Sequence, residues 1–301
     1  MNYRHAFHAG NFADVLKHLV LAQSLAHLSR KEKPFRFIDT HAGVGDYDLE
    51  SEEARRSPEF VDGIGRLWDA KPPAEVAAAL APYLNAVKSL NADGALKTYP
   101  GSPALAAHMM RAGDALRLCE LHPDDAETLR QRFARDKRVK LETRDGYEAL
   151  SAYLPPPERR GLALIDPPFE DRDELAHMAR AAMKAIARWP TGTFIFWRPL
   201  KDMENTEKFD DGLAEWLLDE MEFAPEKVLL ADLWVREIVE PGPLCGAGVV
   251  VVNPPFGLKD VLLTALPWLS ETLAQGPGGG WRVNAPELAF EDGAAVVIDE
   301  P

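Results

Sequence analysis

"GLALIDPPFEDRDELAHMARAAMKAIARWPTGTFIFW" occupies residues 161–197. It opens on an apolar run, Leu162 to Asp166, that stops at two prolines. A helical spacing follows over Glu174–Arg188, and a second apolar run covers Thr193–Trp197. Proline has no N–H to give a sheet ladder, so Pro167 and Pro168 end the first strand. An apolar strand, a crossover helix and another apolar strand form one unit of a parallel sheet covered on both faces.

The same rhythm extends outward. Upstream, strand Leu116–Leu121 precedes helix Asp124–Ala134, and strand Val139–Glu142 precedes helix Gly146–Tyr153. Downstream come helix Asn205–Glu222, strands Lys227–Glu237 and Ala247–Asn253 with no helix between them, and helix Lys259–Leu273. The two strands without a helix predict a hairpin that makes one strand antiparallel. At the start, "NFADVLKHLVLAQSLAHLSR" (11–30) has helical spacing with Asn11 as its cap, and "FRFIDTHAGVGDY" (35–47) is a buried strand emptying into a glycine turn. These elements predict an α/β fold around a mostly parallel, seven-stranded sheet. Between Leu49 and Tyr99 the alternation stops, and a helix is expected over Glu75–Leu90. That segment reads as an inserted helical subdomain, 49–99, between the two parts of the main domain, 1–48 and 100–287. Ser102 followed by Pro103 reads as a helix N-cap. The Gly/Pro stretch after Gln275 and the acidic end, with 288–301 assigned no role, read as a loosely held tail.

With 46% hydrophobic and 27% charged residues the chain is an ordinary globular one. It lacks the roughly 18 uninterrupted apolar residues of a membrane span. "MNYRHAFHAG" places charge and histidine where a signal peptide needs an apolar run. Cys119 and Cys245 stand singly in apolar runs, as buried thiols of a reducing cytosol do. The formal charge of −14 argues against general affinity for nucleic acid, while leaving room for a local basic face. Basic runs do occur at 29–36, 130–140 and 158–160.

Ligands of an open parallel sheet bind beyond the carboxyl ends of its strands. Those ends carry Asp39, His41, Gly43 and Gly45, then Glu120 and His122, then Asp145 and Gly146, then Asp166–Phe169. The turn at 39–47 is neither a phosphate loop nor the dinucleotide fingerprint. It allows close backbone approach at Gly43 and Gly45, which suits a nucleoside without phosphates. Glu120 is placed for two ribose hydroxyls and Asp145 for an adenine amino group. S-adenosylmethionine has this shape: adenosine, a charged amino-acid tail and no phosphate. "DPPF" (166–169) fits an amino group on a planar ring, whose lone pair is delocalised and poorly nucleophilic. Asp166 and the Pro167 carbonyl supply two acceptors for its N–H groups, proline restraint holds that carbonyl, and Phe169 stacks on an extruded base. The echo "NPPF" (253–256) follows the last strand with no cofactor-binding sequence before it and reads as a strand end. The first long helix brings Lys17 and His18 to the mouth of the site. His18 is placed to meet the cofactor's carboxylate, and Lys17 and Arg4 to meet RNA phosphate. A zinc site of His5, His8, His18 and His41 is not favoured, since no carboxylate or cysteine completes the set.

In order, "YRHAFHAGNFADVLKH", "DTHAGVGDY", "YPGSPALA", "ELHP", "DGY", "LIDPPFE" and "VVNPPF" resemble the ribosomal large-subunit methyltransferase J family, over about residues 1–287. That family methylates N6 of one adenosine in 23S ribosomal RNA. The resemblance implies a Rossmann-like class I methyltransferase with a small inserted helical subdomain. It further implies S-adenosylmethionine as donor, and a cytoplasmic monomer acting on naked RNA. Carried onto matching positions, the cofactor contacts are His18, His41, Ser102, Glu120, Asp145, Gly146 and Asp166, beside Gly43 from the glycine turn. Asp166 is then the catalytic acid and Tyr3 sits near the substrate base; to these the reading of the residues adds Pro167, Pro168 and Phe169 on the catalytic side, and His5 and Lys17 on the side of the RNA. The sequence departs from the family at Phe169, where tyrosine is common, and after about Glu287. A DNA adenine-N6 methyltransferase uses the same "DPPF" chemistry, but no second recognition domain or strongly basic surface is visible. A protein-glutamine methyltransferase has to rely on "NPPF" at the wrong strand. A nicotinamide oxidoreductase lacks its third glycine, and a purely RNA-binding module leaves Asp166 without a purpose.

Overall fold

In the computed structural model, which describes residues 4–239 and 242–284, strand follows helix much as the apolar runs dictate. In chain order the elements are α1 (Phe12–Ser29), β1 (Arg36–Asp39), β2 (Asp46–Asp48), α2 (Glu52–Arg56), α3 (Ile64–Trp68), α4 (Ala74–Ser89), β3 (Thr98–Pro100), α5 (Ser102–Met109), β4 (Ala115–Cys119) and α6 (Pro123–Arg132). They continue with β5 (Val139–Glu142), α7 (Gly146–Tyr153), β6 (Gly161–Ile165), α8 (Glu174–Arg188), β7 (Thr193–Pro199), α9 (Met203–Glu215), β8 (Val228–Trp234), β9 (Gly246–Val252), α10 (Leu258–Thr272) and β10 (Gly280–Asn284).

The main sheet has the order β10-β8-β9-β7-β6-β1-β4-β5. Strand β1 lies between β4 and β6 and is parallel to both. The chain therefore moves from β1 outward to β4 and β5, then returns to place β6 on the other side of β1. That reversal opens a crevice at the carboxyl ends of β1 and β6, where Asp39 stands opposite Leu164 and Asp166 follows. Every residue of β6 is buried. Leu162 and Leu164 pack into the core shared with α1, while Ala163 and Ile165 pack into the core beneath α8 and α9. This two-sided burial explains why the strand reads as continuous rather than alternating apolar residues.

Two expectations need correction. Among the described residues the sheet has eight strands, not seven, because Gly280–Asn284, inside the stretch expected to be a loose tail, pairs antiparallel with β8. Its Arg282 donates through Nε to buried Asp232 at 2.8 Å, a long-range tie that local pattern does not show. The terminal segment expected at 288–301 lies outside the described residues. Secondly, β9 is antiparallel to both β7 and β8, and β10 is reversed as well, so the reversed strands number two.

Strand β2 pairs antiparallel with β3, with Asp48 opposite Thr98, so the chain leaves the β1 turn and returns beside its point of departure. Between them α4 contributes Leu80, Tyr83 and Val87 to the same apolar core as α1. No helix among the described residues is long and apolar enough to cross a membrane.

Candidate active site

The crevice widens into a cavity of about 830 Å³, within the range of small-molecule sites. The β1 turn forms one wall. Gly43 has φ +59°, and a Cβ there would lie 2.4 Å from the Tyr47 hydroxyl, so only glycine fits. Its N–H donates to Glu120 Oε2 at 2.8 Å, and His122 N–H donates to Oε1 at 2.8 Å, which fixes the carboxylate at the end of β4. Burial pushes the Glu120 proton affinity up, against the effect of these two bonds. Asp145 caps α7, accepting from the N–H groups of Tyr147 (2.9 Å) and Glu148 (3.0 Å) through Oδ1 alone, so Oδ2 is not used by the cap. Gly146 sits against the β1 end so closely that a Cβ would lie 2.2 Å from the Thr40 carbonyl oxygen.

Asp39 is fully buried and accepts from Ser102 Oγ at 2.7 Å. Burial, with the Asp166 charge adding to it and Ser102 opposing, raises its pKa to about 7. Ser102 is not the cap expected for its helix; Gly101 is, and Ser102 begins the helix with its hydroxyl turned to Asp39. His18 is buried, bonded through Nδ1 to the Tyr99 hydroxyl at 2.8 Å and stacked on that ring. Burial lowers its pKa to about 3, and burial likewise lowers His41 to about 4. Both are neutral imidazoles at neutral pH, able to hydrogen-bond but carrying no charge.

Asp166 follows β6 at the centre of the cavity. Lys17 Nζ donates to its Oδ2 at 2.5 Å and pairs with Asp14 Oδ1 at 2.9 Å. Burial alone favours neutral Lys17, but the two carboxylates outweigh it and hold the ammonium firmly protonated. Asp14 is itself buried, yet the charges of His5 and Lys17 keep it well below the usual carboxylate range. It also accepts from Gly10 N–H at 2.8 Å and His5 Nε2 at 2.9 Å. Lys17, expected to meet RNA phosphate, is thus clamped between two acids and 4% exposed. Burial and two short partners outcompete a solvent-borne phosphate. His5 lines the cavity but is anchored on Asp14, and Tyr3 lies outside the described residues. His8 is bonded to Glu59 and His41 to Thr40, so the four N-terminal histidines each meet a different partner instead of converging on a metal. Phe169, at φ +52°, sets its ring edge-to-face with Trp197 at 5.3 Å.

The family described as "Ribosomal RNA large subunit methyltransferase D, RlmJ" matches residues 32–285. Ribosomal RNA large subunit methyltransferase J of Haemophilus influenzae is 40% identical over 284 residues, 94% of this chain and 98% of that protein. The Escherichia coli protein of the same name is 38% identical over 91% of this chain and 94% of its own. The chain belongs to this family. A crystal structure of a Legionella pneumophila protein, 32% identical, superposes with a TM-score of 0.81 over 92% of this chain and 98% of that one.

Members of the family are S-adenosylmethionine-dependent methyltransferases of ribosomal RNA, and the cavity suits that cofactor. Its lining carries eleven carboxylates against four Lys or Arg side chains, a field that favours a sulfonium and an ammonium and repels a pyrophosphate. Two residues of this site escaped the sequence reading. Asp14 precedes Lys17 by one helical turn, so the pair was visible as an i,i+3 neighbour. Trp197 sits near the carboxyl end of β7, and the rule that collected the acids at strand ends reaches it too.

Proposed function

We propose that the protein methylates N6 of one adenosine in 23S ribosomal RNA, acting as a monomer on protein-free RNA, with residues 49–99 as a helical insertion in a single methyltransferase domain. The observation that carries this reading is Asp166-Pro-Pro-Phe169 at the end of β6, at the sheet's switch point and inside the cavity. When bound, S-adenosylmethionine supplies an electrophilic methyl group. Glu120 accepts from its ribose hydroxyls, Asp145 takes its adenine amino group through Oδ2, and His18, His41, Gly43, Ser102 and Gly146 shape the remaining wall. Lys17 engages Asp166 Oδ2 and so leaves Oδ1 to accept one N–H of the target amino group. The Pro167 carbonyl accepts the other. Two acceptors favour a pyramidal nitrogen and would stabilise the positive charge that grows on it as the N–C bond forms and the donor's methyl–sulfur bond breaks, its electron pair passing to sulfur. One of these two N–H protons would then pass to water, directly or by way of Asp166 Oδ1, restoring the neutral amine. Phe169 stacks on the extruded base, worth ~1–3 kcal/mol, which offsets the few kcal/mol that extrusion costs.

The test is incubation with tritiated S-adenosylmethionine and protein-free large-subunit RNA from a strain lacking the gene, followed by nucleoside analysis. Label in N6-methyladenosine that disappears with Asp166→Ala is expected. Label in another nucleoside, or none in RNA, overturns the reading.

A further inference from the structure

The cavity mouth is a poor place to hold a polyanion. Its carboxylates outnumber its cations, and one of those cations, Lys17, is engaged by Asp14 and Asp166. RNA affinity rests on neutralising phosphates, so the cations must come from elsewhere on the molecule. The three basic runs at 29–36, 130–140 and 158–160 lead directly into β1, β5 and β6. The parallel sheet therefore collects all three at its amino-terminal edge, opposite the cavity. Arg36 is in register with Ala115 and Gly161, and Leu116 with Val139.

A hollow of about 190 Å³ lies at that edge, lined by Arg36, Arg117, Lys137, Arg138 and Lys140 with one carboxylate, Asp114. Asp114 is not available to neutralise them, because Arg111 holds both of its oxygens. Several arginines of the edge are fastened from behind. Arg36 pairs with Glu158 at 2.8 Å, and Arg138 with Asp136 and the Ala107 carbonyl. Lys33, Lys137 and Lys140 are different: they are exposed, and their ammonium groups make no hydrogen bond or ion pair among the described residues. In a chain of formal charge −14 this is a local field of the opposite sign, built on a rigid floor.

We propose that this amino-terminal edge is a phosphate-contact surface for the RNA that flanks the target adenosine. It rests on the reading of RNA as substrate. From Asp166 the edge lies about 17 Å away along β6, at ~3.3 Å per residue. A stacked strand advancing ~3.4 Å per phosphate covers that span in about five nucleotides. Substrates that carry only the target and its neighbours touch the cavity alone.

The test compares wild type with the triple variant Lys33→Gln, Lys137→Gln, Lys140→Gln on a domain-length RNA and on a short RNA, at several salt concentrations. On the long RNA, KM is expected to rise about tenfold, and the slope of log(kcat/KM) against log[salt] to become shallower by about two, as loss of three contacts at ~0.7–0.9 each predicts. The kcat, and the KM for S-adenosylmethionine, stay at wild-type values, and on the short RNA the two proteins are indistinguishable. An unchanged KM and slope on the long RNA overturns the proposal, as does an equal rise on both RNAs. Fluorescence anisotropy with the same labelled RNAs reads affinity without turnover. If wild type methylates no RNA, the functional reading fails on the methylation assay, while the edge is judged separately by whether the triple variant loses affinity for the long RNA.

Discussion

Two tetrapeptides that differ only in their first residue, Asp166–Phe169 and Asn253–Phe256, follow strands of one sheet and finish at opposite ends of it. Strand β6 runs parallel to β1 and β7, so its motif emerges at the cavity. Strand β9 is antiparallel to both neighbours, so its motif emerges at the amino-terminal edge. The local chemistry diverges accordingly. Asn253 takes the positive φ, +53°, whereas in the other motif Phe169 does. The Asn253 Nδ2 donates to the carbonyls of Pro190 (2.9 Å) and Gly192 (2.8 Å), and its own carbonyl accepts from Thr193 Oγ1 at 3.0 Å. Its amide is a clip between two loops with no donor left over for a substrate. Phe256 is 90% exposed, while Phe169 leans on Trp197 inside the cavity. Strand direction, not the tetrapeptide, decides which copy reaches the cavity.

The sharpest way to break this contrast is to remove what aims the first motif. Lys17→Met leaves two carboxylates in the cavity without their cation, and stripping one partner from a buried pair costs about 3–5 kcal/mol. Thermal unfolding is expected to show that loss, with methylation falling too. No substitution in 253–256 should match it. Asp166→Asn keeps the shape but takes away the carboxylate, and kcat is expected to fall about 10²–10³-fold, the usual cost of one electrostatic contact to a transition state. Retained affinity for S-adenosylmethionine, read by calorimetry, separates this from misfolding.

Asn253→Ala works in reverse. It leaves two carbonyls short of a donor and places alanine in left-handed backbone, so about 1–3 kcal/mol of stability is lost while kcat is unchanged. A drop in kcat of the folded variant would give the second motif a catalytic part. The aromatics offer a milder contrast: Phe169→Leu should raise KM for a short RNA about tenfold, from the stacking it gives up, and Phe256→Ser should leave it alone. Near neutrality the smallest is a pH effect, which grows in acid. His18 and His41 titrate lower in the fold, at about 3 and 4, than in the unfolded chain at 6.5, so the unfolded state binds more protons between those values. Stability therefore falls as pH drops below 6.5. Asp39 has the opposite sign: raised to about 7, it contributes stability at low pH that is lost as pH rises through 7. A His41→Gln variant should show a shallower acid slope in Tm, while Asn253→Ala keeps the wild-type slope.

Most of the sheet was legible because its central strands are buried on both faces, and apolar continuity survives in sequence. Helices α7 and α8 and strand β5 fall where the spacing places them. Strand β10 was not legible: three glycines precede Trp281, and what secures it is Arg282 meeting Asp232, fifty residues away. For the site, the acids at strand ends followed from topology. The state of Lys17 did not, because a lysine on a helix edge reads as solvated until Asp166 is seen beside it. The hairpin of β8 and β9 did make one reversed strand legible, but "VVVVNPPF" alone does not say which of the two is reversed.

The bond between Lys17 and Asp166 joins residues 149 positions apart, across a central strand that waits for its second neighbour until β6 is made. A nascent chain must therefore extend past Asp166 before this pairing, and the pocket wall built on it, can form.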